Sequence, residues 1–438
     1  MVPLNSPESS EAKRDSSAPL DPETYKPTLK RRIDSIDLLR GIVMVIMLLD
    51  HTRDFVHRDV LQGFDPTDLA HTNPMLFFTR WITHFCAPIF VFLAGTGAYL
   101  QFARGKSKAE LSKFLLTRGL WLVLLEFTVV RCAAFLNFDY TFLGVMQVIW
   151  VLGVSMIVLA ALIHLPLRIV GMFGVLMIVL HNFLDRFRVQ GMRSPNDPLP
   201  GFWAKLYILL HQPFEPLPIL MTSRGPLVAF VIYPLIPWVG VMAAGYAFGA
   251  LYRMEAARRR RLLVMLGGVT TALFFVLRFI NIYVDPSRWT KQSTVSLTII
   301  SFLNVTKYPP SLAFLLMTLG PAFLALAWFE SRRDKAGATG TSKLREFFIT
   351  FGRVPLFFYL LQWPMAHLTS MAAHLIGGKP IRWMFGTTVQ TTGPPPGMGF
   401  NLLVVYICWI VGVLLLYPLC KWFAGVKQRH RSWWLSYL

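Results

Sequence analysis

One apolar stretch places two chemically active side chains at a spacing that suits a membrane helix. Residues 35–55, SIDLLRGIVMVIMLLDHTRDF, carry Arg40 and His51 eleven positions apart. At about 100° and 1.5 Å per residue, the two side chains would lie on one face, about 16 Å apart. Ionisable groups at such depth are costly unless they have a partner or a function. A guanidinium that can hold an anion and an imidazole that can move a proton predict chemistry along a path across the membrane.

The composition is that of a membrane protein with many spans. Of the 438 residues, 54% are hydrophobic and only 15% are charged, which is less charge than a soluble protein of this length carries. The net charge of +20 has no nucleic-acid motif beside it, and Lys and Arg collect in the cytoplasmic loops of membrane proteins. We therefore expect no nucleic-acid partner. The four cysteines lie in apolar segments at irregular spacing, which favours packing over a disulfide framework or a zinc cluster.

Ten apolar stretches are long enough to span a bilayer, so the predicted fold class is an all-α integral membrane protein, a polytopic bundle of about ten transmembrane helices. Most Lys and Arg residues then fall on one side, which places both termini in the cytoplasm. Residues 1–32 are expected to form a disordered basic cytoplasmic tail, 33–423 the transmembrane domain, and 424–438 a short basic cytoplasmic tail. A short interfacial helix is expected near Gly201, within GFWAKLYILL. The predicted spans are 36–51, 75–102, 120–136, 141–163, 167–184, 227–252, 262–283, 311–329, 354–376 and 400–423.

Further polar side chains lie within or beside these spans, mostly in the half that contains His51. Isolated charges there would be expelled from lipid, so we expect them to pair with one another around one polar chamber. Simpler explanations remain open for some of them: a structural ion pair for Glu126 with Arg131, a satisfied core residue for His84, and contact with lipid headgroups for Lys307. The predicted chamber residues are Asp50, Arg80, His84, Glu126, Arg131, Arg278, Asn281, Lys307, Tyr308 and Tyr359.

Several common motifs do not occur in the sequence. It contains no Walker loop, no dinucleotide fingerprint, no serine elbow and no metalloprotease helix. His51 and His57 lie among aspartates, but no second group of ligands accompanies them, so we expect no metal. No internal repeat and no pair of broken helices in matching halves is visible, although transporters often have both.

Five segments together carry a resemblance to a known family. They are SIDLLRGIVMVIMLLDHTRDF, RGLWLVLLEFTVVR, YPLIPWVGVMAAGYAFG, FLNVTKYPPS and FGRVPLFFYLL, between about residues 33 and 423. In this order they resemble the heparan-alpha-glucosaminide N-acetyltransferase catalytic-domain family of bacterial membrane proteins, part of a wider transmembrane acyltransferase group. That group shares an Arg, ten residues and a His in its first helix, matched here by Arg40 and His51. In the ninth helix, this chain has Gln362 where the resemblance would place His.

The resemblance implies a membrane acyltransferase. It implies an acyl donor, typically acetyl-CoA, that approaches from the cytoplasm, and a hydroxyl or amine acceptor, often a sugar or glycan, on the outer side of the cell inner membrane. The expected partners are thus the lipid bilayer, an acyl-CoA and a sugar-like acceptor, while a homodimer is left open. The alternatives are a transporter or permease with a polar pathway, and a membrane scaffold without catalysis.

Roles for the central residues follow from this hypothesis. Arg40 and Arg353 would attract the phosphates of the acyl-CoA. His51 would act as general base on the acceptor or would carry the acyl group as nucleophile. Asp54, one turn onward, would orient the imidazole, and Asp50 is the less well placed alternative. The negative charge of the tetrahedral oxygen also needs a stabilising donor, for which the sequence offers Arg80, His84 or Arg131.

Overall fold

A computed structural model describes residues 32–140, 142–192, 197–222, 225–336, 342–385, 394–430 and 432–437. The expected N-terminal tail lies outside these residues, apart from Arg32. The protein is mostly helical, and sixteen α-helices lie in the described ranges. They are α1 (Asp34–Val56), α2 (Arg58–Leu61), α3 (Pro74–Trp81), α4 (Cys86–Ala103), α5 (Lys108–Leu125), α6 (Arg131–Phe135), α7 (Val148–Leu162), α8 (Leu167–Leu180), α9 (Phe202–Leu210), α10 (Trp238–Phe248), α11 (Ala256–Ile280), α12 (Val295–Leu303), α13 (Leu312–Ala336), α14 (Lys343–Arg353), α15 (Pro355–Ile376) and α16 (Leu402–Arg429).

Five of the described helical segments are long and apolar enough to cross a membrane, which supports a multi-pass membrane protein. One of them joins α3 to α4 through a 3-10 turn at Ile82–Phe85. Pro88 follows this turn and has no N–H to donate to the carbonyl of His84, so the break is local. The five segments are Pro74–Ala103, Leu167–Arg186, Ala256–Ile280, Leu312–Arg332 and Leu402–Arg429.

A small sheet is the main difference from the all-α prediction. Its strands are β1 (Phe142–Met146), β2 (Glu215–Thr222) and β3 (Gly225–Val231), in the order β1-β3-β2, with β1 parallel and β2 antiparallel to β3. Two predicted spans, 141–163 and 227–252, therefore start as strands, and their helices begin only at Val148 and Trp238. Hydropathy did not predict the strands because a short apolar run has the same hydropathy in a buried strand and in a membrane helix.

Two other predictions concern smaller elements. The helix expected near Gly201 is confirmed as α9, Phe202–Leu210. The expected C-terminal tail begins inside a helix, because α16 continues to Arg429 and a 3-10 turn follows at Trp433–Ser436.

The first helix lies at the centre of the bundle. It packs against α4, α13, α14, α15 and α16, and its apolar side chains belong to the main hydrophobic core. The crossing with α14 is a contact between backbones: a Cβ atom at Gly41 would lie 1.8 Å from the carbonyl oxygen of Phe348, and one at Gly352 would lie 1.8 Å from that of Asp37. Only glycine permits this approach, which brings Arg40 and Arg353 to the same end of the bundle.

Candidate active site

Arg40 and His51 lie on one unbroken helix. Since α1 runs from Asp34 to Val56 without interruption, the eleven residues between them correspond to a rise of about 16 Å. The chemistry predicted from their spacing therefore has two locations, one near each end of α1.

A cavity of about 390 Å³ opens beside the N-terminal half of α1. Six cations line it, and Asp37 is the only carboxylate among the described lining residues. The Asp37 carboxylate lies 3.3 Å from the Arg40 guanidinium, so it balances one positive charge at most. Phosphate groups are the natural ligand for such an excess of guanidinium groups. The cations are Arg32, Arg40, Arg104, Arg118, Arg353 and Lys427.

The deeper walls of this cavity are apolar. Met44, Leu93 and Leu122 line the sides, and Met47 and Tyr359 lie nearest to the other end of α1. The wall chemistry therefore changes from cationic to apolar with depth, which suits a ligand that has a charged head and an uncharged arm.

The imidazole of His51 lies just beyond the deep end. Its ring packs against the indole of Trp363, with 3.9 Å between ring centroids and a tilt of 36° between the ring planes. Met47 and His51 are four residues apart on α1, and Tyr359 and Trp363 are four apart on α15, so about 6 Å separates the cavity wall from this ring pair on each helix. The side chain of Gln362 is completely buried at this boundary and donates to the sulfur of Met47 over 3.3 Å.

Asp50, the neighbour of His51, is held by several donors. Nη1 of Arg80 lies 2.7 Å from both carboxylate oxygens, Nη2 of Arg53 lies 2.8 Å away, and the Thr83 hydroxyl donates over 2.8 Å. The Lys307 ammonium is 3.9 Å away. Three segments of the chain thus meet at one carboxylate, and we refer to Asp50, Arg53, Arg80, Thr83 and Lys307 as the Asp50 cluster.

The sequence that builds this site matches a known protein family. The family model for heparan-alpha-glucosaminide N-acetyltransferase, catalytic, matches residues 32–283, more than half of the 438 residues. The chain belongs to this family. Among curated proteins, none matches the chain. The match contains α1 with Arg40 and His51, whereas Arg353, Tyr359 and Gln362 lie beyond it.

Membership of this family identifies the chain as a membrane acyltransferase. Two further residues that the sequence predicted for the site lie near its outer end. Asp54, expected to orient His51, accepts a hydrogen bond of 2.6 Å from Arg53. His84 is buried against Phe314, with ring centroids 5.3 Å apart, and its Nδ1 has no partner among the described residues. The roles of Asp54 and His84 stay predictions.

Tyr308 joins the Asp50 cluster from the segment before α13. Its ring lies 5.2 Å from Nζ of Lys307 and 5.2 Å from the ring of Tyr233. Burial raises the pKa of the Tyr308 phenol, but the Lys307 and Arg80 cations outweigh burial and leave this pKa below its usual value. A phenol in this setting is a better proton donor than an ordinary tyrosine.

Glu126 and Arg131 do not form the ion pair that the sequence analysis left open as an alternative. Glu126, completely buried in a π-helical turn, accepts from the backbone N–H of Trp150 over 2.9 Å, at the N-terminus of α7. Arg131 donates to the side-chain oxygen of Asn137 over 2.8 Å and to the backbone oxygens of Asn137 and Asp139. Backbone groups are the main partners of both side chains instead.

Arg278 and Asn281 also have partners of their own, in the connection between α11 and α12 and at the C-terminal end of α12. The Arg278 guanidinium donates to the backbone oxygens of Phe302, Ser287, Ser301 and Asn304, and Asp285 lies 3.8 Å away. Asn281 bonds both backbone groups of Trp289. The residues predicted for a single chamber therefore lie in several places: the Asp50 cluster, the cavity wall at Tyr359, the π-helical turn of Glu126 and two anchors of loop structure, Arg131 and Arg278.

Several residues of the site were not predicted. Arg53 and Trp363 were not singled out because an interfacial cation and an apolar aromatic residue are both common in membrane helices. The spacing of Tyr359 and Trp363, four residues apart on one helix face, is the signal that could have found the second of them. Among the described residues, no group of three or more His, Cys, Asp or Glu side chains is placed to hold a metal ion.

Proposed function

We propose that this protein transfers an acyl group, acetyl in the simplest case, from cytoplasmic acyl-CoA to a hydroxyl or amine of a sugar-like acceptor on the outer side of the membrane. One observation carries the proposal. A cavity with a cationic entrance and apolar depth ends one helical turn from His51, on α1 and α15 alike.

The cavity suits an acyl-CoA. Its phosphates would lie among Arg40, Arg353 and the neighbouring cations, where guanidinium groups supply paired donors. Its uncharged arm would follow the wall of Met44 and Leu93 towards Met47. The acyl thioester, at the tip of that arm, would then reach the boundary with His51.

His51 would act on the acceptor. Its unprotonated ring nitrogen takes the proton from the acceptor O–H or N–H as the acceptor atom attacks the thioester carbonyl. A new bond to carbon forms, the C–S bond breaks, and the thiolate of coenzyme A leaves with the proton that His51 held. Attack by His51 itself, followed by transfer from an acyl-imidazole, remains the alternative route.

The Asp50 cluster would keep the outer end of the site rigid. Since Asp50 is already bonded to Arg53 and Arg80, its role is to fix the segments around His51, while Asp54 remains the proposed orienting residue. The indole of Trp363, in contact with the imidazole, restricts it from the other side.

The proposed setting is the cell inner membrane, with about ten spans and both termini in the cytoplasm. The five apolar segments would be joined by others such as α1 and α15, which at 23 and 22 residues are each about 33 Å long or more. The basic entrance of the cavity would then face the cytoplasm, in keeping with the distribution of Lys and Arg.

The test is label transfer in lipid nanodiscs. Wild-type protein, His51→Ala and the matched control His164→Ala, a substitution at an exposed position, receive radiolabelled acetyl-CoA together with amino sugars and cell-envelope glycans. We expect label on an acceptor with wild type and His164→Ala, and a loss of about 10²–10⁴-fold with His51→Ala.

Binding of coenzyme A is measured on the same samples. Folded wild-type protein that binds no coenzyme A would contradict the proposal, and so would movement of an unmodified solute without thioester cleavage, which is the behaviour of a transporter. Equal transfer by His51→Ala and wild type would remove His51 from the mechanism.

A further inference from the structure

The boundary between the cavity and His51 contains a polar side chain whose hydrogen-bonding capacity is poorly used. Gln362 is fully buried, and its Oε1 has no partner among the described residues. Its Nε2 donates only to the sulfur of Met47, over 3.3 Å. A thioether is a weak acceptor, and a buried amide left in this state costs about 1–3 kcal/mol.

Two of the three donors that the sequence suggested for the oxyanion are engaged elsewhere, and the third, His84, packs against Phe314. Arg131 donates to the loop that follows it, and Arg80 holds both oxygens of Asp50. Gln362 differs from them in position, because its side chain contacts Met47, which lines the cavity, and it directly precedes Trp363, which packs against His51.

We propose that Gln362 is a catalytic residue that donates its amide N–H to the carbonyl oxygen of the acyl thioester. This inference rests on the proposed function. The Met47 side chain is flexible and unbranched, so the arriving thioester can displace its sulfur from Nε2 without movement of a helix. A weak acceptor is thereby exchanged for an oxygen that gains negative charge.

The electrons of the step balance without any further reactant. As the acceptor atom bonds to the thioester carbon, the carbonyl π electrons move to oxygen, where the Nε2 hydrogen bond strengthens. When the tetrahedral intermediate collapses, these electrons restore the C=O bond and the C–S pair leaves on sulfur. Gln362 gives up no proton and is unchanged at the end.

The decisive variant is Gln362→Met, which keeps the length and volume of the side chain but removes the donor. With acetyl-CoA and the acceptor identified by the wild-type assay, we expect kcat to fall by about 10²–10³-fold, while KM for acetyl-CoA and Kd for coenzyme A change less than threefold. Leu368→Ala, on the exposed side of α15, should match the wild type.

A purely structural Gln362 would give a different result. If the side chain only closes the cavity, methionine would close it as well, and a kcat for Gln362→Met within threefold of wild type would overturn the inference. If thermal unfolding shows that Gln362→Met is not folded, Gln362→Asn is tested in its place. This variant keeps the amide but withdraws it by one methylene. A kcat equal to that of the wild type would then also overturn the inference. Absence of transfer by the wild type would instead contradict the proposed function itself.

Discussion

Replacing Gly41 with alanine should push α1 and α14 apart. The new Cβ atom would lie 1.8 Å from the carbonyl oxygen of Phe348, whereas ordinary contact begins at about 3.4 Å. The local displacement is therefore about 1.6 Å (3.4 − 1.8), and the atom that must yield belongs to the backbone. Overpacking lowers the free energy of unfolding by about 1–3 kcal/mol. Because the contact involves backbone, we expect Gly41→Ala to lower it by about 3 kcal/mol.

The same displacement should weaken binding in the cavity. Arg40 precedes Gly41, and Arg353 ends α14, so the two cations would move relative to each other. We expect the affinity for coenzyme A to fall about tenfold, or about 1.4 kcal/mol. Gly268→Ala is the matched control, because nothing lies within 4 Å of a Cβ atom there, and alanine in an open helix position is neutral or stabilising.

Tryptophan fluorescence during thermal unfolding in detergent, together with calorimetric titration of coenzyme A, measures both effects. Gly41→Ala should lower the apparent Tm by about 5 °C while Gly268→Ala does not. Equal Tm values for the two variants would refute the argument that the helix crossing needs glycine.

Three further predictions concern single charged residues. Arg40→Gln should weaken coenzyme A binding about tenfold, and calorimetry at increasing salt should find a shrinking difference, because screening already weakens the wild-type attraction; a difference independent of salt would argue against a phosphate contact. Glu126→Ala should lower the free energy of unfolding by about 1–3 kcal/mol through the unpaired Trp150 amide, and Glu126→Gln should lose less in the same thermal assay. Arg278→Ala removes the donor for four backbone carbonyls and should speed chymotrypsin cleavage near Trp289; unchanged cleavage would contradict its anchoring role.

The helix that contains Arg40 and His51 could be predicted because its information is local. An apolar run fixes the helix, and the spacing fixes the shared face. Only one partner of Asp50 is local, Arg53, three positions away. Arg80 lies 30 positions away and Lys307 still further, and only tertiary packing selects which of many distant cations approaches.

The sheet and the anchoring roles of Arg131 and Arg278 could not be predicted for a related reason. Hydropathy measures transfer into an apolar environment, which a strand and a membrane helix share. The rule that buried charges pair with opposite charges is also incomplete, since Arg131 and Arg278 are satisfied mainly by backbone carbonyls. Sequence reasoning counts charged partners but cannot see which carbonyls a loop leaves free.

The central position of α1 also has a consequence for biosynthesis. This helix leaves the ribosome first among the described helices, yet its partners include α14, α15 and α16, which leave last. The carbonyl of Val45 accepts a hydrogen bond from the indole N–H of Trp409, 364 residues later in the chain. Asp50 likewise gains its contact with Lys307 only after that residue has been synthesised. Until then its charges would be exposed to lipid at a cost of several kcal/mol. The charged side chains of newly synthesised α1 therefore have to be kept out of contact with lipid until translation is nearly complete, either by the insertion machinery or by water at the bilayer edge.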